Sequence, residues 1–559
     1  MPLKRIRLCV ILLFFSILPT VRGQLANEGL RGLRVHTVEG VLRLKPEQID
    51  IGTAALIISR QWGTQKTLHT YRGKIDAMAE TIQKRLADQK IPTNYRAIPV
   101  INKYLFEELG FHPIDTADDP EDLFLHVVLD RKRGYCLSLS VLYLSIGERL
   151  GLPLYGVVVP GHFFVRYDDG QQQYNIETTA GGGIAPDEHY LEHFAPPKDH
   201  ALYMKNLNAR ETLGCFFNNL GNSYSTVGDV EQAYESLSRA VEINPSLAEA
   251  HINLGNICLQ KQLTDRAIRE YQAAQRILPN DARVHNNLGN AYLQQKNYPR
   301  AQSEMAKALD IDPEYYDARR GLAWAYEGQG LIDKAVGEMK ALVNMENANA
   351  ENYYILGRLL HERNDLHEAS QELLRALRFD PGYAEARTTL GQVYQEMEQY
   401  DWAINAFSES IKIDPLSVSA YFGLAQAYSN TDQADDAIRA YLKVLELAPD
   451  TVPAIQNLGN ALIEQDRLEE AVRWYLRGLD YEPANTSLRY NLGVAYSKLE
   501  QYEQAADAYR AVLKIEPNSA SAHHGLAVCG YYLKETELMR VHAQRAKELG
   551  FDVPDVLLQ

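Results

Sequence analysis

The sequence predicts a mostly helical chain in which an α+β domain is followed by an all-α repeat solenoid. Two observations carry the prediction. From residue 214 onward the chain repeats itself every 34 residues without an insertion. Residues 25–195 lack that period and mix helix-like with strand-like apolar runs. A length of 559 residues exceeds what one compact core holds, so two or more folding units are required. With 46% apolar and 23% charged residues, the bulk of the chain is neither disordered nor polytopic in a membrane. A formal charge of -16, with no basic cluster after the first residues to offset it, argues against a nucleic-acid partner.

The first element is a secretory signal at residues 1–23. Lys4, Arg5 and Arg7 form its charged start, Leu8 to Leu18 its apolar run, and Val21-Arg22-Gly23 a small-residue cleavage site ahead of Gln24. An apolar run of 11 residues is short of the ~20 that a spanning helix needs, which leaves an uncleaved anchor as the minor alternative. The mature chain, which has no later span, is expected to be exported, either to a periplasm or outside the cell.

In the first domain, helical patterns cover Lys74 to Asp88 and Ala97 to Leu109, and an acidic loop runs from Asp115 to Asp122. A further helix is expected around Asp122 to Leu129 and another from Leu137 to about Leu150. Apolar strands follow at Leu154 to Val159 and Phe163 to Tyr167. Gly181-Gly182-Gly183 and Pro196-Pro197 read as the connection to the repeats, with residues 196–213 as linker.

The repeats occupy residues 214–553, and residues 554–559 form a tail. Leu220-Gly221 recurs as Leu254-Gly255, Leu288-Gly289 and onward to Leu526-Ala527, giving ten units. Ala233, Ala267, Ala301 and their successors follow each pair except in the tenth unit, which has Met539 there. Most units close on a proline such as Pro245, Pro279 or Pro415; Asn347 replaces it in the fourth unit. The small residues lie where two antiparallel helices cross, and proline, which lacks the N–H, ends the second helix. The pattern resembles the tetratricopeptide repeat across the whole region. The resemblance implies stacked helix pairs that bind proteins or peptides, and such an array is expected to fold alone from about Leu202.

Chemistry concentrates in the first domain. Cys136 opens a helix after Arg133-Gly134-Tyr135, His162 stands in Pro160-Gly161-His162-Phe163, and Glu177 stands in Asn175-Ile176-Glu177-Thr178-Thr179. A helix N-terminus favours a thiolate, a histidine on the neighbouring strand can exchange its proton, and a carboxylate can orient the imidazole. The order cysteine, histidine, acid on helix, strand, strand resembles the transglutaminase-like superfamily, a papain-related fold. The runs Leu105 to Phe111, Val127 to Arg131 and Gly161-His162-Phe163 look closest to its bacterial branch, often fused to tetratricopeptide repeats. The resemblance implies catalytic roles for Cys136, His162 and Glu177, although the family usually carries Asp as the third member. Cys215, Cys258 and Cys529 are read as packing residues. His361 with His367, and His523 with His524, lack metal-ligand spacing, so no metal or other cofactor is expected.

The repeats offer a second candidate site. Asn219, Asn253, Asn287, Asn457 and Asn491 precede the Leu-Gly pair, and Asn222, Asn256, Asn290 and Asn460 follow it. Two readings stand side by side: an amide ladder that holds a peptide backbone in the groove, or amides that bond within their own units. The expected function is a thiol-dependent acyl transfer, of transglutaminase or cysteine-protease type, with a solenoid that binds a protein partner or substrate. The alternative is a non-catalytic envelope scaffold acting through its repeats.

Overall fold

The structure is a computed structural model that describes residues 33, 35–62, 68–116, 119–194, 202–345 and 348–559. The expected signal, Pro196-Pro197 and Asn347 lie outside the described residues. The chain divides into two compact units, one ending at Ala325 and the other beginning at Tyr326.

The first unit is built around α6 (Cys136–Leu150), preceded by α1 (Val38–Leu42), α2 (Ile51–Trp62), α3 (Leu68–Asp88), α4 (Ile98–Asn102) and α5 (Leu125–Arg131). Most of α6 is buried on every side, as its near-continuous apolar run requires. Its three buried serines each find an oxygen partner: Ser145 donates to the Val141 carbonyl, Ser140 pairs with Thr178, and Ser138 with Tyr135 and Asp122. Gly151, at φ +71°, ends the helix in the left-handed conformation that glycine adopts at no steric cost.

A four-stranded antiparallel sheet follows, in the order β3 (Leu154–Val159), β4 (His162–Asp168), β5 (Gln173–Glu177), β6 (Gly183–Ala185); two-residue strands β1 (His112–Pro113) and β2 (Arg133–Gly134) pair separately. Val159 pairs with His162, so only Pro160 and Gly161 make the β3–β4 turn, with proline fixing φ and Gly161 at φ +74°. β4 therefore starts at His162, one residue before the expected strand.

The expected connection after Gly181 differs from what forms. Gly183 pairs with Glu177 as part of β6, and α7 (Asp187–Phe194) starts after Pro186 with two acidic residues in its first turn. Beyond it, Met204 and Leu207 donate to the Val158 and Gly156 carbonyls, closing the free edge of β3.

The first repeat comprises α8 (Ala209–Thr226) and α9 (Val230–Ile243). It starts before residue 214 because Asn208 and Glu211 form a reciprocal cap. Leu213, Phe216, Phe217 and Leu220 of α8 lie in the same buried core as Leu137 and Leu139 of α6. Arg210 also donates to the carbonyls of Leu42 and Leu44. This continuity changes the expectation that the repeats fold alone from Leu202, because the first domain covers the apolar face of the first repeat.

Next come α10 (Ala248–Gln260) with α11 (Thr264–Ile277), and α12 (Ala282–Gln294) with α13 (Tyr298–Ile311). The repeats make about ten helical units in all, those after Ala325 lying in the second compact unit. The glycine of each Leu-Gly pair makes room for a large side chain in the following helix. A Cβ on Gly255 would fall 2.4 Å from Tyr271 Cε1, and one on Gly391 would fall 2.7 Å from Phe407 Cε1. Phe407 also meets Gly423 of the next repeat, where a Cβ would fall 2.4 Å from its Cζ. Met305 likewise meets both Gly289 and Gly321.

Two further regularities were not apparent in the sequence. The turn inside each repeat holds one residue at positive φ, from Gly228 and Gln262 to Glu500 and Lys534, and only Gly228 and Gly330 of these are glycine. In most units the carbonyl of the closing proline accepts from a histidine or arginine of the next unit, among them His251 to Pro245, His285 to Pro279, Arg319 to Pro313, and His523 to Pro517. Among the described residues no helix is long and apolar enough to cross a membrane.

Candidate active site

Asp122 organises the approach to the thiol. Its buried carboxylate takes Arg131 at 2.8 Å and Arg133 at 3.1 Å, and its carbonyl accepts from Ser138. Ser138 in turn accepts the Tyr135 N–H at 2.8 Å. Cys136 is thereby fixed as the first residue of α6, 4% exposed, where the backbone N–H groups have no intrahelical acceptor.

The β3–β4 turn places His162 beside it, and β5 places Glu177 next to His162. Nε2 of His162 lies 2.7 Å from Glu177 Oε2, which leaves Nδ1 for the thiol of Cys136, the two residues lining one cavity. All of Glu177's oxygen capacity is engaged by donors. Oε1 accepts from the Thr179 N–H at 3.1 Å and the Thr179 hydroxyl at 2.5 Å; Oε2 accepts also from Tyr190 at 3.2 Å. The longer Glu side chain is thus as fixed as an Asp would be.

Electrostatics follow from that arrangement. Burial works against the imidazolium, yet the hydrogen bonds to Cys136 and Glu177 and the carboxylate's charge outweigh it and lift the His162 pKa to about 9. Burial also works against the Glu177 carboxylate, but His162 and Thr179 hold its pKa below the usual range. Cys215, by contrast, is buried without such partners, and burial pushes its thiol up to about 12.

Sequence reasoning missed α7. Tyr190 is fully buried against Phe164, with ring centroids 3.8 Å apart, and Phe194 stacks on the His162 ring at 5.0 Å and 6°. The signal was present: two aromatics four residues apart behind Pro186-Asp187-Glu188 describe a short helix with one apolar face.

Cys136 and His162 line a cavity of about 410 Å³ with Tyr135. Its other wall comes from the first repeats, where Asn218, Asn219 and Asn222 of α8 and Asn253 of α10 line it. Two of the five ladder positions, Asn219 and Asn253, therefore share a cavity with the thiol. Asn287 is not among the lining residues; its amide donates to Asn256 Oδ1 at 3.4 Å. In the second unit Asn491 donates to Asn460 Oδ1 at 3.0 Å, and Asn457 pulls the Tyr441 pKa down against the burial that raises it. Asn253 donates to Asn218 Oδ1 at 3.0 Å. These amide bonds run to the preceding repeat, which neither sequence reading anticipated.

The other singled-out residues have local partners. His361 pairs with Glu396, His367 with Gln371, and His523 with His542, while Cys258 and Cys529 are fully buried. Among the described residues no group of three His, Cys, Asp or Glu side chains could hold a metal ion.

Comparison with known proteins assigns the class of each part. The model of the transglutaminase-like superfamily matches residues 69–202. Tetratricopeptide models match residues 221–262, 255–296, 292–359, 357–398, 394–462, 459–499 and 487–519. The chain carries a transglutaminase-like domain followed by tetratricopeptide repeats. Among individual relatives, a UPF0162 protein of Xylella fastidiosa strain Temecula1 is 28% identical over 233 residues, 38% of this chain and 79% of the relative. The F-box only protein 21 of Mus musculus is 33% identical over 85 residues, covering 15% of this chain and 13% of the relative. A crystal structure of MamA protein is 28% identical with a TM-score of 0.29, covering 30% of this chain and 92% of that one.

Proposed function

We propose that the protein is a thiol-dependent acyl-transfer enzyme, of transglutaminase or cysteine-protease type, whose substrate is a protein segment seated against the first repeats. One observation carries the reading: Cys136 and His162 line the same cavity as Asn219 and Asn253. The asparagine amides offer donors and acceptors to a peptide backbone while the thiol faces the segment they hold. In this reading Cys136 attacks an amide carbonyl, forming a C–S bond. His162 gives its proton to the departing nitrogen as the C–N bond breaks, and Glu177 holds Nε2 throughout. The N–H groups of the first turn of α6 are suited to the oxyanion. Water or an amine then takes the acyl group. Export, guided by residues 1–23, belongs to the same proposal.

The test is alkylation of Cys136 near pH 6, where an ordinary thiol of pKa about 8.5 reacts slowly. Wild type should react faster than a free cysteine peptide, and His162→Ala should slow it. Equal rates in wild type, variant and peptide would remove the catalytic reading and leave a protein-interaction scaffold.

A further inference from the structure

The cavity wall opposite the thiol holds a carboxylate with no assigned task. Glu249, in the first turn of α10, lines the cavity, and both its oxygens are shut off from water without any hydrogen-bond partner. The residue as a whole is half-buried, while both carboxylate oxygens are closed to solvent. Two cations line the same cavity, and both are engaged: the His162 imidazolium by Glu177, and the Arg283 guanidinium by Asp281, Nη2 to Oδ2 at 2.5 Å and Nε to Oδ1 at 3.0 Å. A carboxylate that has lost its water and gained no donor is held at a cost that a bound cation would remove. Burial accordingly pushes the Glu249 carboxyl above its ordinary range, against the pull of its own backbone N–H and of Arg283.

We propose that Glu249 is a subsite for a cationic side chain, lysine or arginine, on the protein segment that enters the cavity. The inference rests on reading the cavity as the substrate site, and it names the class of substrate: a segment with a basic residue close to the carbonyl presented to Cys136. The rest of the described wall supports the division of labour. Amides of Asn218, Asn219, Asn222 and Asn253 are suited to backbone, which leaves Glu249 to read a side chain. Rotation about the three side-chain bonds of Glu249 swings its oxygens out to the ligand. The acidic balance of the chain, -16 overall, favours basic partners at longer range.

The experiment uses the full chain and four methanethiosulfonates: methyl (neutral), aminoethyl (primary ammonium), trimethylammonioethyl (quaternary) and sulfonatoethyl (anionic). Rates of Cys136 modification are followed by mass spectrometry and divided by those of a free cysteine peptide. Wild type should favour aminoethyl over methyl by about tenfold, the factor that one well-placed ionic contact of ~1.4 kcal/mol represents. It should favour aminoethyl over trimethylammonioethyl too, because a quaternary ion brings charge without N–H donors. Glu249→Gln should bring the aminoethyl-to-methyl ratio to near that of the peptide, and Glu249→Asp should retain much of it. An undiminished ratio in Glu249→Gln, or no preference among the cations in wild type, overturns the subsite; the second comparison requires no variant. The methyl rate reports the thiol alone. A slow methyl rate beside an intact charge preference would sink the acyl-transfer reading and keep the subsite.

Discussion

Replacing Glu177 by Gln removes one charge and leaves the side-chain shape, and the structure says what should follow. His162 holds its proton to about pH 9 through hydrogen bonds to Cys136 and Glu177. A hydrogen bond to a charged group is worth about 1.5–3 kcal/mol, and one pKa unit corresponds to about 1.36 kcal/mol. Glu177→Gln should therefore lower the His162 pKa by about 1–2 units, with Cys136 sustaining the remainder. NMR titration of the His162 Cε1–H signal reads this directly. Thermal stability gives an independent reading with a definite sign. A folded pKa above the ordinary ~6.5 means that the charged pair's contribution is full below pH ~6.5 and is lost as pH rises through about 9. The Glu177 pKa is depressed, so on the acid side the contribution is present above the ordinary carboxylate range and lost as pH falls through the folded value. The Tm gap between wild type and Glu177→Gln should thus be widest from about pH 4.5 to 6.5 and shrink in both directions. A His162 midpoint that does not move, or a Tm gap flat with pH, would refute the coupling.

Two further outcomes concern the repeats. Glu398 sits at φ +59° in a turn where Gly228 and Gly330 occupy the equivalent place; Glu398→Gly relieves about 1–2 kcal/mol of left-handed strain against ~0.5–1 kcal/mol of added chain entropy, so a small rise in denaturation midpoint is expected, and a fall would show that Glu398 is unstrained. A fragment starting at Leu202 exposes Leu213, Phe216 and Phe217, which are at most 2% exposed in the full chain; hydrogen exchange should find α8 and α9 unprotected while later repeats stay protected, and protection throughout would show that the first repeat needs no cover.

The sequence made the repeats legible because a 34-residue period is written in residues with single tasks: leucine and tyrosine for the seam, glycine for the close approach, proline for the stop. It placed Cys136 at a helix start and His162 and Glu177 on or beside strands, because apolar runs and turn residues mark those elements locally. What stayed hidden depends on tertiary neighbours. Tyr190 and Phe194 fall between a glycine run and a proline pair, where composition reads as a connection, and only the sheet beneath them gives α7 a surface to cover. The meeting of Asn219 and Asn253 with Cys136 depends on the shared core of α6 and α8, which no local pattern announces.

Phe407, wedged between Gly391 of its own repeat and Gly423 of the next, belongs to two interfaces with one ring, as does Met305 between Gly289 and Gly321. In a linear array, the free energy of one repeat and its coupling to a neighbour are ordinarily separate quantities that mutation can tune apart. Here a single side chain enters both. A repeat that lets go of its ring loses its own helix pairing and its grip on the following repeat in one event. Melting should consequently spread as a boundary moving along the array in steps larger than one unit, and truncating Phe407 should lower cooperativity as well as stability.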